Sequence, residues 1–97
     1  MYARVINGVV LSGKMDELVN LVNEGLAPEV SKQPGAQGML LLTDIGTGRS
    51  ISISLWDSKE AMMDGETNEF VAHQISKVLP LLEDAPSIRN FRVSVRT

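Results

Sequence analysis

Apolar residues dominate the first eleven positions: Tyr2 to Leu11 reads YARVINGVVL, rich in valine and isoleucine, and halts at Ser12-Gly13. A β-branched run closed by a turn pair predicts a first strand over Tyr2–Leu11. From Lys14 the period changes. Met15, Leu18, Val19, Val22, Leu26 and Val30 recur at helical spacing, and Asp16 and Glu17 occupy the first turn, where carboxylates favour the positive end of the helix dipole. Pro28 lies inside this helix, lacks a backbone donor and clashes with the preceding turn, so the last part must kink or re-form as a separate turn before Gln33-Pro34-Gly35 ends it.

Two further strand-like runs, Gln37–Ile45 (QGMLLLTDI) and Ser50–Trp56 (SISISLW), flank the glycine-containing connection Gly46-Thr47-Gly48-Arg49, which predicts a β-hairpin. Asp57-Ser58-Lys59-Glu60 offers a capping side chain with a glutamate three residues on; the helix it starts runs through Ala61 and Met62 until Gly65 weakens it. A second helical stretch carries the stripe Phe70, Val71, Gln74, Ile75, Val78 and Leu82, with Pro80 near its end and Pro86 as a stop. Ser87–Arg96 alternates Phe91, Val93 and Val95 with Asn90, Arg92 and Ser94 and reads as the last strand.

The resulting order is β-α-β-β-α-β. Each half is a strand-helix-strand crossover, and right-handed connections fold the two into an α+β, ferredoxin-like protomer: a four-stranded antiparallel sheet with both helices on one face. In the third strand Ile51, Ile53 and Leu55 alternate with Ser52, Ser54 and Trp56, but in the first strand both sets are apolar (Val5, Val9 and Leu11 against Ile6 and Val10), and in the second Met39 and Leu41 oppose Leu40 and Leu42. Two helices cover only one face. An apolar second face needs another cover, and the simplest is a second copy packed sheet against sheet, with the second strand at an exposed edge. The expected partner is therefore the chain itself, as a homodimer.

Composition narrows the function classes. The 97 residues, 43% hydrophobic and 22% charged, suit one domain spanning residues 1–97 with a modest core. Without cysteine, a disulfide framework, a thiolate metal site and a cysteine nucleophile are excluded, and a reducing, cytoplasmic setting is expected. Twelve acidic residues against nine scattered basic ones leave a net charge of −3, which argues against a nucleic-acid partner. The apolar runs are far too short for a bilayer, Asn7 and Gly8 interrupt anything like an export signal, and no membrane association is expected. One histidine and no cysteine leave too few ligands for a protein-only zinc site, so no metal is expected. Gly46-Thr47-Gly48 and Ser12-Gly13-Lys14 lack the rest of a phosphate-binding loop and read as turns.

Three segments carry a family likeness: Gln33-Pro34-Gly35-Ala36-Gln37-Gly38 leading into an apolar strand, Thr47-Gly48-Arg49-Ser50 at the hairpin, and Leu55-Trp56-Asp57-Ser58-Lys59-Glu60-Ala61-Met62 crossing from strand to helix. With the element order, they make nearly the whole chain resemble the antibiotic biosynthesis monooxygenases of the dimeric α+β barrel superfamily. The resemblance implies a pocket between sheet and helices for an electron-rich aromatic or quinol compound, oxygenated without metal or flavin, polar groups stabilising the substrate anion and apolar walls holding oxygen beside it. A haem-degrading branch has an asparagine on the first strand, which Asn7 matches, and a helical histidine, which His73 approximates. That branch's helical tryptophan has no counterpart in Met62-Met63-Asp64-Gly65, so haem degradation ranks below quinol oxygenation.

The candidate catalytic residues are Asn7, an amide among apolar neighbours; His73, the only side chain that titrates near neutrality unperturbed; and Arg92, which could stabilise an oxyanion. His73 falls towards the polar side of its helix, where a solvated histidine is the simpler expectation. Trp56, the only tryptophan, is the candidate substrate-pocket or interface residue. If the serine side of its strand faced a second copy, it would pack across that interface. The reading from a different class is a non-catalytic dimeric module that binds a small apolar ligand.

Overall fold

The computed structural model describes all 97 residues. Strand β1 (Tyr2–Val9) is followed by helix α1 (Met15–Leu21), a π-helical turn (Val22–Leu26) and α2 (Ala27–Ser31), which form one unbroken helical rod. The proline is accommodated without a break in the chain path. In the wide turn before it, the Ala27 N–H bonds Val22 O, and Pro28 falls in the first turn of α2, where its missing donor costs least.

Strands β2 (Ala36–Asp44) and β3 (Arg49–Trp56) form the predicted hairpin. The Asp44 carboxylate accepts from Gly46 N and the Thr47 hydroxyl, and Gly48 takes φ +75°, a conformation that favours glycine. Next come α3 (Lys59–Thr67), α4 (Glu69–Val78), a 3₁₀ turn (Leu79–Leu81) and β4 (Ser87–Arg92). The strand order is β2-β3-β1-β4, all pairs antiparallel, so β2 is an edge as expected.

Local details depart from the sequence expectation. The α3 cap is Ser58, whose Oγ accepts from Ala61 N, rather than Asp57. The helix continues through Gly65 and breaks at Asn68, whose side chain accepts from Phe70 N and Val71 N and starts α4. Phe70 is exposed, because the inward stripe of α4 is Val71, Ile75 and Val78, and Phe70 sits one position off it. The last strand stops at Arg92, across from Tyr2 where β1 begins, and a single further bond from Val93 N–H to Met1 O closes its end.

Register assigns every strand residue to a face. Tyr2, Arg4, Ile6 and Gly8 lie opposite Trp56, Ser54, Ser52 and Ser50, and Met39 and Leu41 join them from β2. This is the face the helices cover. Its core is Val22, Leu26, Val30, Trp56, Met62 and Val71, with a second cluster of Val10, Leu18 and Leu81 at the other end. The opposite face carries Val5, Ile51, Ile53, Leu55, Leu40 and Leu42 and has no protein layer over it.

Candidate functional site

A cavity of about 280 Å³ lies between the covered sheet face and the helices. Its volume follows from the residues beneath it. Where Leu or Ile would fill the layer, β1 presents Gly8 and β3 presents Ser50 and Ser52, so the floor is low. The roof is aliphatic: Leu18, Val22 and Leu26 from the first helical rod, Ile75 and Val78 from α4, and Leu82 beyond it.

Polar groups are confined to the floor. Arg4, in the middle of β1, is 11% exposed and pairs through Nη1 with the Glu66 carboxylate of α3; the same nitrogen lies 3.5 Å from Asn90 Oδ1. Glu66 is a third exposed and stands at the solvent side of the pair. The Ser54 hydroxyl is occupied, accepting from Trp56 Nε1 at 3.0 Å, whereas the Ser50 and Ser52 hydroxyls have no protein partner. A void of about 30 Å³, one water's worth, adjoins the cavity between Arg4, Glu66 and Trp56.

The expected site residues are scattered. Asn7 lies on the opposite sheet face, level with Ile51 and Ser87, and borders a surface hollow with Arg49 and Asp84. His73 is exposed on α4 and lines none of the cavity. Arg92 is exposed at the end of the edge strand β4, across from Tyr2. Trp56 is 2% exposed and is the largest side chain of the main core; its indole lies over Gly65, where any Cβ would intrude on the ring. The serine side of β3 faces the helices, so Trp56 packs within the protomer and borders only the small void.

The cation at the cavity is Arg4, across from Ser54, with Ser52 and Ser50 further along the same floor. The signal for it in the sequence is a lone guanidinium at the centre of a valine-isoleucine strand, which has to find a counter-charge; Glu66, 62 residues away, supplies it. No three His, Asp or Glu side chains come together in a way that would hold a metal ion, and no helix is long and apolar enough to cross a membrane.

Among solved structures the architecture is shared with proteins of very different sequence. A structure named antibiotic biosynthesis monooxygenase superposes with a TM-score of 0.81 over 98% of this chain and 100% of that one, at 14% identity. The cofactor-independent oxygenase SnoaB of Streptomyces nogalater gives 0.81 over 98% and 95%, also at 14% identity. A protein from Methanosarcina mazei gives 0.83 over 94% and 90% at 15% identity. No family model and no curated protein matches the sequence. The expected likeness therefore holds at the level of the fold: an α+β, ferredoxin-like protomer of the kind seen in antibiotic biosynthesis monooxygenases.

Proposed function

We propose that this chain is a cofactor-independent monooxygenase of a small aromatic or quinol compound, acting in the cytoplasm as a homodimer. The observation that carries the reading is the cavity itself, apolar on its roof and bearing an arginine and two free hydroxyls on its floor. Such a chamber suits a flat ring with oxygen substituents on one edge. Arg4 lowers the pKa of a phenol bound against it and stabilises the resulting anion, and the aliphatic roof excludes water from the electron-rich ring and the dioxygen beside it. The balance needs no cofactor. A hydroquinone balances with dioxygen alone: one oxygen atom enters a ring C–H bond to make a new hydroxyl, and the other leaves as water with the two hydroxyl hydrogens and two electrons the hydroquinone gives up on becoming a hydroxyquinone; the substrate supplies all the electrons.

The homodimer rests on the uncovered sheet face, where Leu40 is 56% and Phe91 53% exposed beside Ile51, Ile53 and Leu55. An exposed cluster of large aliphatic and aromatic side chains of this kind marks an interaction surface.

Oxygen uptake with a panel of hydroquinones tests the activity. Turnover that falls at least tenfold in Arg4→Gln and persists in Asn7→Ala and His73→Ala is the expected result. Binding without oxygen uptake in the wild-type protein selects the second reading, a non-catalytic dimeric module holding a small apolar ligand; the cavity's lack of an imidazole or an unpaired carboxylate favours that alternative.

A further inference from the structure

Arg4 is incompletely used by the protein. A guanidinium carries five N–H donors. Both interactions of Arg4 run through Nη1, to Glu66 and to Asn90, so Nε and Nη2 have no protein acceptor although the side chain is nine-tenths buried. No side-chain nitrogen or oxygen in the molecule is both sealed from solvent and unpartnered, and Arg4 lines both the cavity and its adjoining void. Ser52 lies across from Ile6 and Ser50 across from Gly8, which places both free hydroxyls along the same floor. The donors lie along the floor of the chamber, Arg4 at one end and Ser50 at the other, while the roof above is aliphatic.

We propose that Arg4 and Glu66 form a charge-selective latch, making the cavity specific for a bicyclic aromatic anion, a phenolate or carboxylate, whose oxygen takes over the arginine as Glu66 swings into solvent. The proposal rests on the cavity being the ligand site, as in the function proposed above. Size is the first part of the argument. An engineered cavity of about 150 Å³ holds benzene, so roughly twice that volume accepts two fused rings and excludes four. Charge is the second. A neutral ligand leaves the Arg4–Glu66 pair intact and gains only apolar contact, whereas an anion meets donors already desolvated and held in place. A cationic ligand meets repulsion with no carboxylate free to offset it.

Glu66 is then an internal competitor. Its position at the solvent side, a third exposed, lets it leave without stranding a buried charge, which Arg4 could not do. Removing the Glu66 charge should strengthen anion binding, the reverse of what a merely structural ion pair would give.

The test is calorimetric titration of the purified protein with naphthalene, naphthoate and aminomethylnaphthalene. The wild-type protein should bind naphthoate at least tenfold more tightly than naphthalene, and aminomethylnaphthalene least. Glu66→Gln should tighten naphthoate binding roughly tenfold, the scale of one charge-assisted hydrogen bond, and leave naphthalene unchanged. Arg4→Gln should equalise naphthoate and naphthalene, and Arg4→Lys should restore part of the preference. Retained naphthalene binding reports that each variant still folds around the cavity. Equal affinities in the wild-type protein, or Glu66→Gln weakening naphthoate, would overturn the latch while leaving the cavity as a ligand site. Failure of all three compounds to bind would remove the cavity and the proposed function with it.

Discussion

The two faces of the sheet are both largely apolar and differ in where the small and polar residues fall. The face beneath the helices carries Arg4, Ser50, Ser52 and Ser54 among Tyr2, Ile6, Met39, Leu41 and Trp56, and the face with no layer over it carries Val5, Ile51, Ile53, Leu55, Leu40 and Leu42 beside Asn7, Arg49 and Arg89. In a monomeric two-layer domain the aliphatic set is confined to the face under the helices and the hydroxyls point into water. The difference makes sense if both faces are interior and do different work. Small and polar residues on the covered face leave a chamber with donors in its floor. Large aliphatic residues on the other side form a surface suited to tight, dry packing against another copy.

That contrast can be broken at single positions. The largest loss is expected from Trp56→Ala, which removes the main plug of the covered side and leaves Ser54 without its partner. A cost of about 3–5 kcal/mol is typical of such a truncation, and it would lower the melting temperature by on the order of 15 °C in a domain this size. Thermal unfolding followed by circular dichroism measures it.

On the uncovered face, Ile53→Glu places a charge at the centre of the apolar surface without touching the core. It should raise the dimer dissociation constant by about thirtyfold, near 2 kcal/mol, the scale of an interface hot spot. Sedimentation equilibrium reads the change, and a wild-type protein that sediments as a monomer at micromolar concentration would refute the assignment of this face.

Gly65→Ala tests the close approach of helix and indole. A methyl group there meets the Trp56 ring, so a destabilisation of about 1–3 kcal/mol is expected, with an altered tryptophan emission spectrum as the local readout. The smallest effect belongs to Ser52→Ala. Its hydroxyl bonds nothing in the protein, so stability should change by less than about 0.5 kcal/mol. A larger loss would mean that Ser52 is a structural hydrogen-bonding group and not part of an open floor.

The strands, the hairpin and the edge position of β2 are legible because they depend on short-range pattern: β-branched runs, a glycine-rich turn, a stripe at helical spacing. The site was far less so. Asn7 and Arg4 sit three residues apart on the same strand, and the odd count puts them on opposite faces; only the register with β3 tells which one looks into the cavity. Arg92 shares the covered side with Arg4 but lies at the strand end, exposed, so its chemistry is spent on solvent. His73 follows helical phase and is readable as a surface residue from the sequence alone.

Composition and periodicity by themselves determined the βαββαβ order, the antiparallel hairpin, and the excess of apolar sheet surface over what one layer of helices can hide. These follow from local steric preferences and from the amount of oily side chain in the chain, both of which are properties of the string. Tertiary structure alone decided which side of the sheet the helices take, and with it the identity of the buried cation, its carboxylate partner 62 residues away and the chamber between them. Alternation specifies that a strand has two unlike faces. Which face is roofed is settled by the global packing of the helices, and that depends on contacts between residues far apart in the chain.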